Sequence, residues 1–308
     1  MKIITYALIF LFASMRLCIA EIPEAEQLQK AKNQWKNEIK KLFIKDNKQD
    51  PENDNKFIYL SKYHGVVISI FGEYKNLSSL AQFTFIDTIE IQNNIIENLD
   101  FMNGSHFREL SIYKKNKISN INGLKNTPLK EIFIEDASNI VDITPLLNKP
   151  YLGIALSNLR LKDFSGFSQI NTKFLSLRNA SYLKDITPFA KNRYIEELDL
   201  SFSPIADISA LTENINITHL NLSNTKISDI NSLKEHPSIS SLNISHTSVY
   251  NLYALRNNKN IEFLDISYVP IIDFNILSTL RNLKSLSIDE SQIQYIPANV
   301  DRRIIKIK

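Results

Sequence analysis

A chain of 308 residues that is 44% hydrophobic and 22% charged can bury a sizeable core, and with only 6 glycines and 10 prolines it is neither disordered nor loop-rich. Its formal charge of +3 becomes +1 once the first twenty residues, which carry Lys2 and Arg16 and no acid, are taken away. That balance excludes a general nucleic-acid binder, which needs a concentrated basic surface.

Residues 1–20 open with Met1 and Lys2 and an apolar run from Ile3 to Ala13, and they place Cys18 and Ala20 just ahead of a cut before Glu21. This is the pattern of a secretory signal peptide, and the run is shorter than the roughly 20 residues that cross a bilayer. An uncleaved anchor is the alternative, since Arg16 is unusual so late in such a segment. Lipidation of Cys18 is the other, although Met15, Arg16 and Leu17 are not the small residues expected before a lipidated cysteine. Cleavage at Ala20 would leave no thiol, hence no disulfide, thiolate nucleophile or cysteine metal ligand.

Residues 21–66 read as an N-terminal helical cap and a first strand. Leu28, Ala31, Trp35, Ile39, Leu42 and Phe43 recur at helical spacing, Pro23 suits the first helical position, and Asp50-Pro51 is a stop. Lys30, Lys32, Lys36, Lys40, Lys41 and Lys45 fall on the opposite face. A basic amphipathic membrane helix is the alternative reading. Residues 47–56 are a polar connection, and Phe57-Ile58-Tyr59-Leu60 a strand joining the stack.

From 67 to 300 the chain repeats about eleven times. An apolar residue recurs at Ile68, Ile89, Leu110, Ile132, Ile154, Leu175, Leu198, Leu220, Leu242, Leu264 and Leu286, at steps of 21 to 23 residues, and the position two residues on is always Ile or Leu. The alternation predicts a short strand with its leucines turned inward. An Asp or Asn follows in ten units (Asn76, Asn98, Asn120, Asp142, Asp163, Asp185, Asp207, Asp229, Asn251 and Asp273), where its oxygen can accept a free backbone N–H at the start of a short 3-10 or α turn. One unit cannot bury its own apolar columns, so neighbours must stack. The expected fold is an α/β repeat solenoid: a curved horseshoe with a parallel concave sheet, turns on the convex side and a helical cap. Residues 301–308 read as a C-terminal edge strand.

Leu198-Asp199-Leu200 through Ile205, Asp207-Ile208 and Leu211 resemble the 22-residue leucine-rich repeat of bacterial internalins, as do Leu220-Asn221-Leu222 through Ile227, Asp229-Ile230 and Leu233. The asparagine usual after the strand is replaced by Ser203, Thr225, Thr247, Val269 and Ser291, which predicts a loosened asparagine ladder. The resemblance speaks strongly for the fold and weakly for function.

The residues flanking the inward leucines belong to the concave face, the habitual binding face of solenoids. Two patches are candidates for partner binding. One holds Phe71, Tyr113, Phe133 and Glu135 with Glu109 and Glu131; the other holds Asp199, Phe202, His246, Phe263, Asp265 and Tyr268. Aromatics amid polar groups are the composition of interface hot spots, the alternative being that they stack along the ladder and cover the sheet. The run Ser201, Ser223, Ser245, Ser267 reads as small filler. His64, His106, His219, His236 and His246 are scattered, and an open face supplies no pocket for a triad or metal. The expectation is therefore an exported, non-enzymatic recognition protein that binds a protein partner, adhesin-like or effector-like. The alternative is a periplasmic or envelope scaffold with no host partner. Neither reading requires a cofactor or a nucleic acid, and neither keeps a membrane segment after cleavage; a monomer is expected.

Overall fold

The computed structural model describes residues 24–47, 58–61, 65–71, 74, 76–92, 95–113, 116–190, 192–271 and 273–308. The segment read as a signal peptide, with Cys18, and Pro23, Asp50-Pro51, Phe57 and His64 lie outside them. The chain divides into two compact units, Met1–Leu146 with Pro150–Leu156 and Leu147–Lys149 with Ser157–Lys308.

The first unit begins with helix α1 (Glu24–Gln34), a wider π turn (Trp35–Ile39) and helix α2 (Lys40–Asn47). Ala31, Trp35, Ile39 and Phe43 are fully buried at spacings of four. A straight α-helix would rotate such a series off one face; the π turn, which takes more residues per turn, keeps it aligned. The same adjustment turns Leu42 outward, to 40% exposure, against the expectation that it joins the buried stripe. Trp35 packs edge-on to Phe43 at 5.5 Å and stacks on Phe83 at 6.2 Å. Gln34 donates to the Gln82 carbonyl and accepts from the Thr84 N–H, while Asn47 exchanges hydrogen bonds with the Asn76 backbone. These contacts cover the first repeat turn and make the helix a cap.

Strands β1 (Ile58–Ser61), β2 (Gly65–Phe71), β3 (Thr88–Gln92), β4 (Glu109–Ile112), β5 (Glu131–Ile134) and β6 (Pro150–Leu156) pair in chain order. β1 runs antiparallel to β2, with Ile58 opposite Ile68. The connection from Ser61 to Gly65 is too short for the crossover a parallel partner needs. From β2 to β6 all pairs are parallel, and Ile68, Ile89, Leu110, Ile132 and Ile154 stand in one register.

The second unit continues the pattern with β7 (Asn171–Ser176), β8 (Glu197–Asp199), β9 (His219–Asn221), β10 (Ser241–Asn243), β11 (Phe263–Asp265), β12 (Ser285–Ile288) and β13 (Ile305–Ile307). These strands are parallel, with Leu175, Leu198, Leu220, Leu242, Leu264, Leu286 and Ile305 in register. All but the terminal Ile305 are buried. Each inward Leu or Ile contributes about 1.5–3 kcal/mol by leaving water. The structure is the leucine-rich-repeat solenoid expected from the period, with an N-terminal helical cap.

Between strands the chain makes 3-10 turns, and the recurring Asp or Asn explains where they start. In all ten units its side-chain oxygen accepts the N–H of the residue two further on, from Asn76 to Ser78 at 2.9 Å through Asp207 to Ser209 at 2.8 Å to Asp273 to Asn275 at 2.8 Å. Inside the second unit a further column closes the free carbonyls of successive turns. Asn192 Nδ2 donates to the Ile170 carbonyl (2.6 Å), Asn214 Nδ2 to the Phe189 and Asn192 carbonyls, and His236 Nε2 meets the Asn214 carbonyl at 3.0 Å. At the substituted asparagine position, the Thr225 and Thr247 hydroxyls donate to Leu222 and Ile244 carbonyls at 2.6 Å, so the expected loosening is compensated locally.

Candidate functional site

In the second unit a tight turn follows each strand, and its geometry decides what stands on the exposed sheet face. The Asp or Asn between the inward leucines accepts the N–H of the serine two residues on: Asp199 from Ser201 (2.9 Å), Asn221 from Ser223 (3.1 Å), Asn243 from Ser245 (3.0 Å) and Asp265 from Ser267 (3.1 Å). The four serines are buried, in keeping with a filler role. The next residue takes a left-handed backbone: φ is 62° at Phe202, 57° at Asn224, 55° at His246 and 59° at Tyr268, with Asn158 and Asn179 at 61° and 58° earlier in the same column. Asparagine and histidine tolerate this region; a bulkier side chain there, as at Phe202 and Tyr268, is an outlier that costs about 1–3 kcal/mol. Three of the six positions nevertheless carry large rings.

Those rings are presented to solvent. Phe202 is 41% and Tyr268 49% exposed, and His246 is exposed as well. The Arg178 guanidinium lies 4.0 Å over the Phe202 ring, and His246 stacks on Tyr268 at 4.4 Å between centroids. Tyr268 is also fixed by its backbone N–H to Asp289 (2.9 Å) and its hydroxyl to the Lys308 carbonyl (2.9 Å). Asn224 intervenes between Phe202 and His246, so these sit two strand steps, about 10 Å, apart. Phe263 on β11 is exposed nearby.

The two carboxylates of this patch are tied to their own turns. Asp265 is only 8% exposed; it is held by the Ser267 N–H and hydroxyl and by the Lys308 ammonium at 2.5 Å. Asp199 serves its turn in the same way, and burial raises its pKa against the opposing pull of Ser201 and Arg178. Both shape the face more than they extend from it.

One carboxylate the sequence reading passed over stands out. Glu197 on β8 is half-buried between Phe174 of β7 and His219 of β9 in register, and its Oε2 is buried without a hydrogen-bond partner. Burial, with the neighbouring Glu196 adding to it, pushes this carboxyl up to about 7. The signal was available: Glu197 shares its column with Glu109 and Glu131.

In the first unit Tyr113 and Phe133 come together, rings 5.4 Å apart. Burial first, then Glu90, pushes the Tyr113 hydroxyl up to about 12. Glu135 is half-buried there. Phe71 is 66% exposed on β2, two strand steps or about 10 Å from Tyr113, so it is not part of that ring pair. The two histidines nearest the acids do not converge: His219 Nδ1 lies 2.9 Å from the Thr218 hydroxyl while His246 stacks on Tyr268. Among the described residues no group of three His, Cys, Asp or Glu could hold a metal ion, and no helix is long and apolar enough to cross a membrane.

The class defined by this architecture is the leucine-rich-repeat protein. No family model and no curated protein matches the sequence. Among solved structures the chain is similar to an internalin (inlF) from Listeria monocytogenes, with a TM-score of 0.65 at 19% identity over 73% of this chain and 67% of that one. It is also similar to the functional domain of InlJ from Listeria monocytogenes, at 0.56 and 19% over 75% of this chain and half of the other; that domain includes a cysteine ladder, whereas Cys18 is the only cysteine here. A third likeness is the leucine-rich-repeat ectodomain of the plant receptor kinase GASSHO1/SCHENGEN3 from Arabidopsis thaliana in complex with CASPARIAN STRIP INTEGRITY FACTOR 2, at 0.52 and 16% over 70% of this chain and 28% of that chain. The fold is internalin-like.

Proposed function

We propose that this chain is an exported recognition protein, internalin-like in role as in fold, which binds a protein partner through the exposed sheet face and catalyses no reaction. The observation that carries the reading is the left-handed column. A bulky ring meets backbone strain at these turns that asparagine avoids, and the sister positions Asn158, Asn179 and Asn224 carry the unstrained residue. Strain retained at two exposed positions of one face, Phe202 and Tyr268, is what selection for a contact surface leaves behind. Rigid aromatics fixed by Arg178, by mutual stacking and by Asp289 lose little entropy on binding and supply the large contact area typical of hot spots. The ligand-bound plant ectodomain supports the class of function, and the Met1–Ala20 segment supports export.

The test is a double substitution, Phe202→Ala with Tyr268→Ala, assayed for folding and for capture of a partner. Retained folding with lost capture supports the reading. Unfolding of the double variant would make the rings structural and withdraw it.

A further inference from the structure

The carboxylate left without a partner on the same face suggests what the partner brings. We propose that the β7–β9 face of the second unit seats a lysine or arginine side chain of the bound protein, with the Glu197 carboxylate as its counter-ion. The inference rests on the reading that this face binds protein.

Glu197 and Asp199 stand two residues apart on one strand, so their side chains leave the same face about 7 Å apart, room for one cationic head between them. Asp199 is already served by Ser201, Asn221 and the charge of Arg178, whereas Glu197 Oε2 is buried with nothing to accept from. Beside them, opposite Asp199 in register, Ser176 is 1% exposed and its hydroxyl also lacks a partner. Two oxygens on adjacent strands, Glu197 Oε2 and Ser176 Oγ, thus lack a partner, and an ammonium or guanidinium brings three to five donors. Among the described residues the nearby cations are already engaged: Lys173 pairs with Glu196 at 2.9 Å, and Arg178 lies on the Phe202 ring, donates to Ser201 and acts on Asp199. Phe202, exposed on the same face, offers apolar surface against which the stem of a long basic side chain can lie.

Leaving a carboxylate desolvated and unpaired is costly, and the protein answers by holding Glu197 protonated up to about pH 7. Only the ionised form attracts a cation, so the apparent affinity follows its population: about tenfold weaker at pH 6 than at pH 8. The groups facing it are Asp199 from its own strand with the adjacent Glu196; Lys173, Ser176 and Arg178 from the β7 side; and His219 and Asn221 from β9. Of these, His219 gains charge on acidification and reinforces the same direction.

The experiment is a titration of the 15N-labelled chain, residues 21–308, with a pentalysine peptide, and with pentaglutamate as control. Saturable amide shifts at Glu197–Ser201, about tenfold weaker at pH 6 and lost in Glu197→Gln, are the expected result. Asp199→Asn is a second variant that keeps its turn, since Asn221 and Asn243 do the same work; it should weaken the peptide several-fold. Glu197→Ser copies Ser241 and Ser285 in the same column and guards against a misfolded glutamine variant. Shifts confined to other regions, shifts unchanged in Glu197→Gln, or equal response to pentaglutamate would overturn the proposal. A captured protein lost in the Phe202/Tyr268 variant yet held equally by Glu197→Gln would overturn this inference alone and leave the recognition reading standing.

Discussion

Replacing Phe202 by asparagine separates a contact residue from a structural one by magnitude. The ring is 41% exposed, so about three-fifths of it is covered; at 1.5–3 kcal/mol for complete burial, that coverage contributes about 1–2 kcal/mol. Stacking under Arg178 adds about 0.5–1 kcal/mol at such a half-exposed place. Against this stands the left-handed backbone, which costs a residue with a bulky side chain about 1–2 kcal/mol. Asparagine relieves most of that, as Asn179 and Asn224 show in the same column. The terms nearly cancel, and the net loss should stay below about 2 kcal/mol. Urea denaturation followed by circular dichroism reads this as a small displacement of the midpoint at constant slope. A loss above about 3 kcal/mol, the range of a core phenylalanine truncation, would show that the ring holds the fold and refute the reasoning.

Other substitutions should behave oppositely. Leu222→Ala, in the fully buried ladder, should cost about 2–5 kcal/mol in the same urea assay. Gly123→Ala should be strongly destabilising in the first unit, because its Cβ would lie 1.8 Å from the Leu99 carbonyl oxygen, a backbone atom that cannot yield; a melt unchanged from wild type would contradict this close approach. Asp207→Ala should cost about 1 kcal/mol by freeing the Ser209 N–H, a penalty that hydrogen exchange at Ser209 would localise. His236 is held neutral: burial lowers its pKa, against the Asn214 carbonyl bond that raises it, so the unfolded chain takes up the proton first. Its contribution is therefore complete above about pH 6.5, the free-histidine value, and is lost as pH falls below it. Glu197 runs the other way, being stabilised folded when protonated, so the difference between wild type and His236→Asn across pH 7.5 to 5.5 isolates the histidine. A difference independent of pH would exclude that role.

Much of the fold was legible because one unit cannot bury its own apolar columns, which forces Leu198, Leu220 and Leu242 to recur at a fixed step. The ten Asp or Asn turn starters were legible for the same reason: one geometry, one requirement. Other features were hidden where residue type and conformation part company. The left-handed column escaped notice because Phe202, His246 and Tyr268 replace the asparagines that would have marked it. The Asn192, Asn214 and His236 series does recur at 22 residues, yet a histidine in it looks like a scattered one until its Nε2 is found on a carbonyl. Leu42 was misplaced because no composition rule announces a π turn. Asp199 and Asp265 read as surface charges, while the serines two residues on had already turned them toward the backbone. Glu197 shares a column with Glu109 and Glu131, but that its Oε2 lacks a partner is a property of packing that the column of letters does not show.

The most direct test of the central claim is capture by the purified chain, residues 21–308, from host-cell surface extract and bacterial envelope extract in parallel, beside a variant carrying asparagine at Phe202, His246 and Tyr268. The account predicts a specific protein held by the native chain and lost from the variant, which folds as stably as the native chain or nearly so. Equal retention by both, or envelope components alone regardless of the rings, would contradict it and return the aromatic column to the structure.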